Sequence, residues 1–333
     1  MKKNSCLLFS MVLIASLIGP FHQTFAAEKK PGVFVEPCPL PRTMALCGEK
    51  VPLENPPVLE MLDREIHITV WDQAKVLLTF KRAARHFPFI EKRLKELGMP
   101  DDLKYLSVAE SNLLTYARSS AGALGPWQFM QGTGVRVGLR HDPSMDERLD
   151  FERSTEAALL YLRQLRDMFG SWAAAMGAYN CGENRIRTEM SEQRVTDFYR
   201  LNLPLETERY IFRIAAIKLI MENPERYGFR VPKETLYGAV RSDSVPLNIR
   251  QPVHIADLAE ALGTDYKEIK ELNPQILGRF LPEGQYVLKI PAGTASKLER
   301  FLKSLPPVQD ATKNTPEVMK DKRQKPEARS GGK

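Results

Sequence analysis

The hydrophobic positions of this chain fall into two textures. Up to about residue 230 they recur every three or four residues, the period of a helix with one buried face; beyond that they alternate over short runs. Leu59, Leu62 and Ile66, then Trp71, Val76, Phe80 and Phe87, supply apolar positions for helices between residues 58 and 98. Pro88 is expected to interrupt them. Ile90, Leu94 and Leu97 carry the pattern on to a stop at Gly98. Residues 28–57 are rich in proline and charge, and are expected to wrap the domain irregularly.

The next helix starts where Pro100 suits a first helical position and Asp101 and Asp102 complement the N-terminal dipole. Leu103, Leu106 and Glu110 share one of its faces. A glycine-containing loop follows, and a second helix is expected to open at Gly125-Pro126 and to finish over Thr133 to Leu139. Residues 140–149 read as a loop. Asp150 can cap a helix whose core face is Ala158, Tyr161, Leu165 and Met168, ended by Gly170. Trp172 to Tyr179 form a buried, alanine-rich helix. Another is expected near Thr196–Leu201, and a longer one from Glu206 to Met221 carries Tyr210, Ile214, Ile217 and Met221 on one face. After residue 231, Leu247-Asn248-Ile249 is a candidate strand. Two short helices follow, over 258–263 and 266–272, and Tyr286 to Pro291 closes as a strand. The pattern predicts a mainly α protein followed by a small α/β module.

Composition narrows the class. The 333 residues are 43% hydrophobic and 27% charged, ordinary for a globular protein of two domains or one domain with extensions. The net charge of +7 suits an anionic partner such as a wall polymer or lipid. No zinc finger, helix-turn-helix or RNA-binding motif is present, so nucleic acid is not expected. The five histidines are scattered without metal-ligand spacing, so neither metal nor cofactor is expected.

The N-terminus reads as a signal peptide. Lys2 and Lys3 precede an apolar run from Leu7 to Ile18, broken by Gly19-Pro20 and followed by the cleavage candidate Thr24-Phe25-Ala26-Ala27. Export to the periplasm or cell envelope follows; an uncleaved anchor is the alternative. Cys6 precedes the apolar run, where a lipid-anchoring cysteine would have to follow it. In an exported chain Cys38 and Cys47 are expected to form a disulfide closing a short loop, the alternative being two free thiols. Cys181 is left over and is expected to behave as a small hydrophobe.

Glu110 is the candidate catalytic group. It lies on an apolar stripe at the C-terminal end of its helix, where burial and the negative end of the dipole both disfavour its charge. Such a carboxyl can act as a general acid near neutral pH. A surface glutamate at a fraying helix end is the alternative reading of the same spacing.

The surrounding residues carry a resemblance. Glu110-Ser111, Ala117-Arg118-Ser119, Gly122-Ala123-Leu124-Gly125, Gln128-Phe129-Met130 and Thr133 resemble the signature of the family-1 lytic transglycosylases, which carry the soluble-lytic-transglycosylase (SLT) domain. Ala178-Tyr179-Asn180-Cys181-Gly182 and Leu203-Pro204-Leu205-Glu206-Thr207-Glu208-Arg209-Tyr210 resemble two later motifs of that family. The C-terminal strand–helix–helix–strand order, with Leu272-Asn273-Pro274 and Leu288-Lys289-Ile290-Pro291, resembles a LysM module. The usual Gly-Asp-Thr-Leu is replaced by Gln251-Pro252-Val253-His254, so glycan binding and a purely structural role both stand for the module. The overall arrangement is similar to the membrane-bound lytic murein transglycosylase D type.

The resemblance implies a goose-lysozyme-like helical catalytic domain acting on peptidoglycan glycan strands. Glu110 would protonate the β-1,4 bond between N-acetylmuramic acid and N-acetylglucosamine, then accept the proton of the muramyl C6 hydroxyl, leaving a 1,6-anhydro end. It also implies substrate-binding roles for Ser111, Ser119, Gln128, Met130, Tyr179, Asn180 and Tyr210: Ser111 and Ser119 hold the sugar or orient the acid, Gln128 and Met130 line the glycan groove, Tyr179 and Asn180 contact substrate or the acid, and Tyr210 is aimed at Glu110. The expected division is a signal peptide at 1–27, an N-terminal extension at 28–98, a catalytic domain at 99–231 and a LysM-like module at 232–295. A short helix with a disordered basic tail completes the chain at 296–333. A monomer associating with the wall through the module is expected. The competing expectations are a goose-type muramidase, with water as nucleophile, and a non-catalytic wall-binding protein.

Overall fold

A computed structural model describes residues 36–306. The expected signal peptide and the basic tail beyond residue 306 lie outside the described residues. Among those described, no helix is long and apolar enough to cross a membrane.

The segment expected to be irregular contains a hairpin, β1 (Met44–Leu46) and β2 (Glu49–Val51), paired antiparallel. Its two turn residues, Cys47 (φ 55°) and Gly48 (φ 78°), are both left-handed, as a tight hairpin turn requires. This geometry separates the two cysteines. The Cys47 N–H donates to Asp102 Oδ2 (2.7 Å), whereas the Cys38 N–H donates to His67 Nε2 (3.1 Å) on the following helix. The expected disulfide is therefore corrected: both thiols are free, and burial pushes each thiol pKa up.

Helix α1 (Pro56–Trp71) opens on Pro56 and Pro57, where the missing N–H groups cost nothing, and buries Val58, Leu62, Glu65 and Ile66. Helix α2 (Gln73–Glu96) is capped by the Asp72 side chain and runs straight through Pro88. Ile90 and Leu94, both fully buried beyond the proline, hold the helix together where its hydrogen bonding is interrupted. A 3-10 turn (Asp101–Leu103) leads into α3 (Lys104–Ser111), the innermost helix, in which Lys104 through Val108 are all buried. Asn112 (φ 52°) and Leu113 (φ 61°) then reverse the chain.

No helix opens at Gly125-Pro126. Residues 117–130 form a compact loop with isolated bridges Arg118–Leu124 and Leu124–Phe129, and the short helix α4 (Gln131–Arg136) begins only afterwards. Gly125 (φ 83°) is required by close approach: a Cβ there would lie 1.8 Å from the Arg148 carbonyl oxygen. Two short strands, β3 (His141–Asp142) and β4 (Met145–Asp146), pair within the expected loop. Helix α5 (Phe151–Phe169) is capped as expected, Asp150 accepting from the N–H groups of Glu152 (2.9 Å) and Arg153 (3.0 Å). Ala158, Tyr161 and Leu165 face the core, but Met168 is exposed.

Helix α6 (Trp172–Cys181) buries three alanines completely, and its Gly177 leaves room for the Phe198 ring, 2.3 Å from where a Cβ would sit. Helix α7 (Glu183–Gln193) was not expected: Ile186 is its one buried residue, too few to register as a period. The helix expected near Thr196–Leu201 is a single 3-10 turn, Phe198–Arg200. Helix α8 (Leu205–Glu222) buries Tyr210, Ile214 and Ile217 as expected. Helices α1 to α3 share one hydrophobic core with α5 to α8, so the N-terminal helices are part of the same packed body.

The second core belongs to the C-terminal module. Strand β5 (Ser242–Ile249) is followed by β6 (Val253–His254), α9 (Ile255–Leu262), α10 (Tyr266–Leu272), β7 (Phe280–Leu281) and β8 (Gly284–Pro291). Strands β5 and β8 pair antiparallel from Ser242–Pro291 to Ile249–Gly284, and β6 pairs with β7. Helix α11 (Ala295–Ser304) packs on α9. The unusual His254 caps α9, its Nδ1 accepting the Ala256 N–H at 3.1 Å. Asn273 of the Leu-Asn-Pro motif is fully buried. Its amide donates to the Ile269 and Lys289 carbonyls and its oxygen accepts the Lys289 N–H, which ties α10 to β8.

The module is bonded to the helical body rather than only tethered. The Asp146 N–H donates to the Gln275 carbonyl and the Leu277 N–H to the Ser144 carbonyl, both at 2.8 Å. Met145 belongs to the module's core, and Lys289 pairs with Glu152 of α5 at 2.9 Å.

Candidate active site

Glu110 stands in the last turn of α3, partly buried, against α8. The Tyr210 hydroxyl donates to its Oε1 at 2.5 Å. Burial raises the Glu110 pKa to about 7. The tyrosine hydrogen bond and the positive charge of Arg213 pull it down, and Glu206 pushes it slightly up. Burial and the charge of Glu110 also hold the phenols of Tyr210 and Tyr179 well above their ordinary pKa, so both remain neutral donors.

The loop of residues 117–130 is bonded to the helix that carries this carboxyl, and several of its polar atoms hold its shape. The hydroxyls of Ser107 and Ser111 converge on the Pro126 carbonyl at 3.0 and 2.8 Å, both from buried positions on α3. Ser119 Oγ accepts the Ala123 N–H at 3.0 Å and closes the glycine turn. Gln128, itself left-handed (φ 47°), donates its amide to the Ala117 (3.0 Å) and Gly125 (2.7 Å) carbonyls. Its side-chain oxygen has no partner among the described residues. The Tyr179 hydroxyl donates to the Trp127 carbonyl at 2.7 Å. Met130 is exposed at the loop's end, and Asn180 is partly buried at the end of α6.

Of the expected site residues, Tyr210 is thus bonded directly to Glu110, and Tyr179 lies close enough to feel its charge. Ser111 and Ser119 are bonded to loop backbone instead, so their reach to Glu110 is through the loop they shape. Cys181 is partly buried near this end of α6, and burial raises its thiol pKa, which removes the thiolate a nucleophile needs. Among the described residues no group of three or more His, Cys, Asp or Glu could hold a metal ion.

Two residues that support the loop were not expected. Trp127 is fully buried, and its indole N–H donates to Thr155 Oγ1 of α5 at 2.9 Å. Arg148, also buried, makes a two-pronged pair with Asp146 (3.0 and 2.7 Å) and donates to the Phe129 carbonyl at 3.1 Å. Asp146 in turn is bonded to the module, so Arg148 is a strut between the module and the loop. Nothing in the polar stretch 140–149 marks an arginine as buried.

Residues 87–202 match the family model of the transglycosylase SLT domain, and residues 244–306 match that of the lytic transglycosylase MltD, LysM-like domain. The chain is 34% identical over 230 residues to membrane-bound lytic murein transglycosylase D of Escherichia coli (strain K12), covering 67% of this chain and 50% of that protein. The same holds for the protein of that name from Escherichia coli O6:H1. The chain therefore spans about half the length of the curated relatives it matches. Among solved structures, the 70 kDa soluble lytic transglycosylase of Escherichia coli is 23% identical, with a TM-score of 0.33, covering 41% of this chain and 24% of that one. Residues 87–202 are thus a transglycosylase SLT domain, and residues 244–306 are a LysM-like domain of the MltD kind.

Proposed function

We propose that this protein is a peptidoglycan lytic transglycosylase that cleaves the β-1,4 bond between N-acetylmuramic acid and N-acetylglucosamine. The observation that carries this reading is the Glu110 carboxyl. It is partly buried, bonded to a neutral phenol rather than a cation, and has a pKa raised to about 7. Among the described residues, the carboxylate whose charge reaches it is Glu206, which is exposed and paired with Arg213 at 3.0 Å. Hydrolytic glycosidases use two flanking carboxyls. A site with one such acid suits a reaction in which the substrate supplies its own nucleophile.

In that reaction protonated Glu110 gives its proton to the glycosidic oxygen, and the bond from that oxygen to muramyl C1 breaks. The muramyl N-acetyl group stabilises the cationic C1. Glu110, now a carboxylate held by the Tyr210 hydroxyl, accepts the proton of the C6 hydroxyl as O6 bonds to C1. No water is consumed, Glu110 returns to its starting state, and the product is a 1,6-anhydromuramyl end. One residue serves as acid and then as base, which is most efficient when its pKa lies near the working pH. Gln128, Met130, Tyr179 and Asn180 line the sugar groove in this proposal, and Ser111 and Ser119 act by fixing the loop. Residues 1–27 direct export to the periplasm or cell envelope, and the LysM-like module associates a monomeric enzyme with the wall.

Mass spectrometry of the fragments released from purified peptidoglycan tests the reading. Muropeptides lighter by one water than their reducing counterparts are expected. Reducing ends alone would make the protein a muramidase, and an undigested wall would make it a non-catalytic binder.

A further inference from the structure

The hydrophobic pattern assigns Trp71 to the core, yet it is 73% exposed at the end of α1, with Ile68 beside it 46% exposed. These two side chains form one lip of a groove of about 650 Å³ between α1 and α2 on one side and α3 and α8 on the other. That volume lies in the range of small-molecule sites. The opposite wall presents Arg209 and Arg213 of α8. Both are oriented by buried Glu65, whose carboxylate lies 2.7 Å from Arg209 Nε and 3.9 Å from Arg213 Nε. The groove reaches Asn112, two residues beyond Glu110, and Arg213 both lines it and acts electrostatically on Glu110. It therefore runs beside the helix end that carries the acid. Trp71 precedes residue 87, and the two arginines follow residue 202, so all three lie outside the stretch matched by the SLT family model.

An exposed indole across from fixed guanidinium groups matches an N-acetylated amino sugar. The apolar face of the pyranose ring stacks on an aromatic surface, and the acetamido carbonyl accepts hydrogen bonds from the arginines. We propose that this groove is a second sugar-binding stretch. It holds the part of the glycan strand beyond the residue at Glu110, with Trp71 as the stacking platform and Arg209 and Arg213 as donors. The assignment rests on the glycan-cleaving reading above.

The test uses the full mature chain carrying Glu110→Gln, so that turnover does not confuse binding, and N-acetylglucosamine oligomers as the probe. Trp127 is fully buried and Trp172 partly so, which makes Trp71 the tryptophan most open to quenchers. Saccharide should shift tryptophan emission to the blue and protect it from iodide. Trp71→Ala should abolish that response and weaken the calorimetric Kd about tenfold, the scale of one aromatic contact. Trp71→Phe should restore most of the affinity. Because the side chain is exposed, both variants should melt with the parent. An unchanged Kd in Trp71→Ala, or saccharide binding that leaves Trp71 open to iodide, overturns the proposal. The glycan-cleaving reading fails by a different result, a peptidoglycan left intact by the wild-type protein.

Discussion

Two glutamates meet the same helix in opposite ways. Glu65 of α1 and Glu110 of α3 both lean on α8, within one turn of each other's contacts. Glu65 is 1% exposed and surrounded by cations: Arg64 at 3.0 Å, Arg209 at 2.7 Å and Arg213 at 3.9 Å. Glu110 touches the neutral hydroxyl of Tyr210, and its pKa rises to about 7. Burial alone does not make a carboxyl an acid. Among guanidinium groups it organises its neighbours; beside a phenol, with its pKa raised to about 7, it holds a proton it can give away. The difference lies in residues 209 and 210, neighbours on one helix.

The largest effect should come from Glu110→Gln, which keeps the shape but cannot transfer a proton. General acid–base help is worth about 10²–10⁴-fold, and here one residue serves both half-reactions, so turnover should fall by at least the upper figure. Stability should move the other way. A carboxyl whose pKa rises on folding, here from 4.5 to about 7, binds its proton more tightly in the folded protein. Stability therefore falls as pH rises between those values, by up to about 3 kcal/mol. The glutamine variant lacks that loss. Its melting temperature should exceed the wild type's at pH 8 and approach it at pH 4, measured by calorimetry.

Glu65→Gln should instead cost stability. It leaves the half-buried Arg209 without its carboxylate partner, while Arg213 keeps Glu206, and removing one partner of such a pair is expected to cost about 2–3 kcal/mol where the arginine keeps some water. Urea denaturation at pH 7 reads this directly. A variant as stable as the wild type would mean the arginines do not depend on Glu65.

Tyr210→Phe should have the smallest effect. It deletes the hydrogen bond that lowers the Glu110 pKa, so the alkaline limb of the rate profile should move to higher pH. The rate at neutral pH should drop about tenfold, as for loss of one hydrogen bond to a charged group. An unmoved limb would detach Tyr210 from the acid.

Much of this was legible in the residues. Helices α5 and α8 were readable because their apolar faces repeat and Asp150 sits where a cap is needed. The Glu110–Tyr210 pair was readable from the motifs, although the two residues are 100 positions apart. What escaped notice depends on contacts that no local pattern records. Gly125 looks like a helix start, but its role is to let the Arg148 carbonyl come close. Helix α7 buries too little to show a period, and Pro88 fails to break α2 because the packing of Ile90 and Leu94 outweighs the lost hydrogen bond. Trp71 counted as apolar and turned out to face solvent. Cys38 and Cys47 are near in sequence, but the hairpin turn and α1 hold them on different partners. The bond from the Ser111 hydroxyl to the Pro126 carbonyl is likewise a contact between segments that no local pattern records.

The most direct measurement is a carboxyl titration by NMR on protein with ¹³C-labelled glutamate side chains, comparing wild type with Glu110→Gln. The account predicts one carboxyl resonance titrating near pH 7 in the wild type and absent from the variant. A missing resonance that titrates near 4.5 in the wild type would contradict it, because Glu110 would then be an ordinary surface carboxylate with no proton to give at neutral pH.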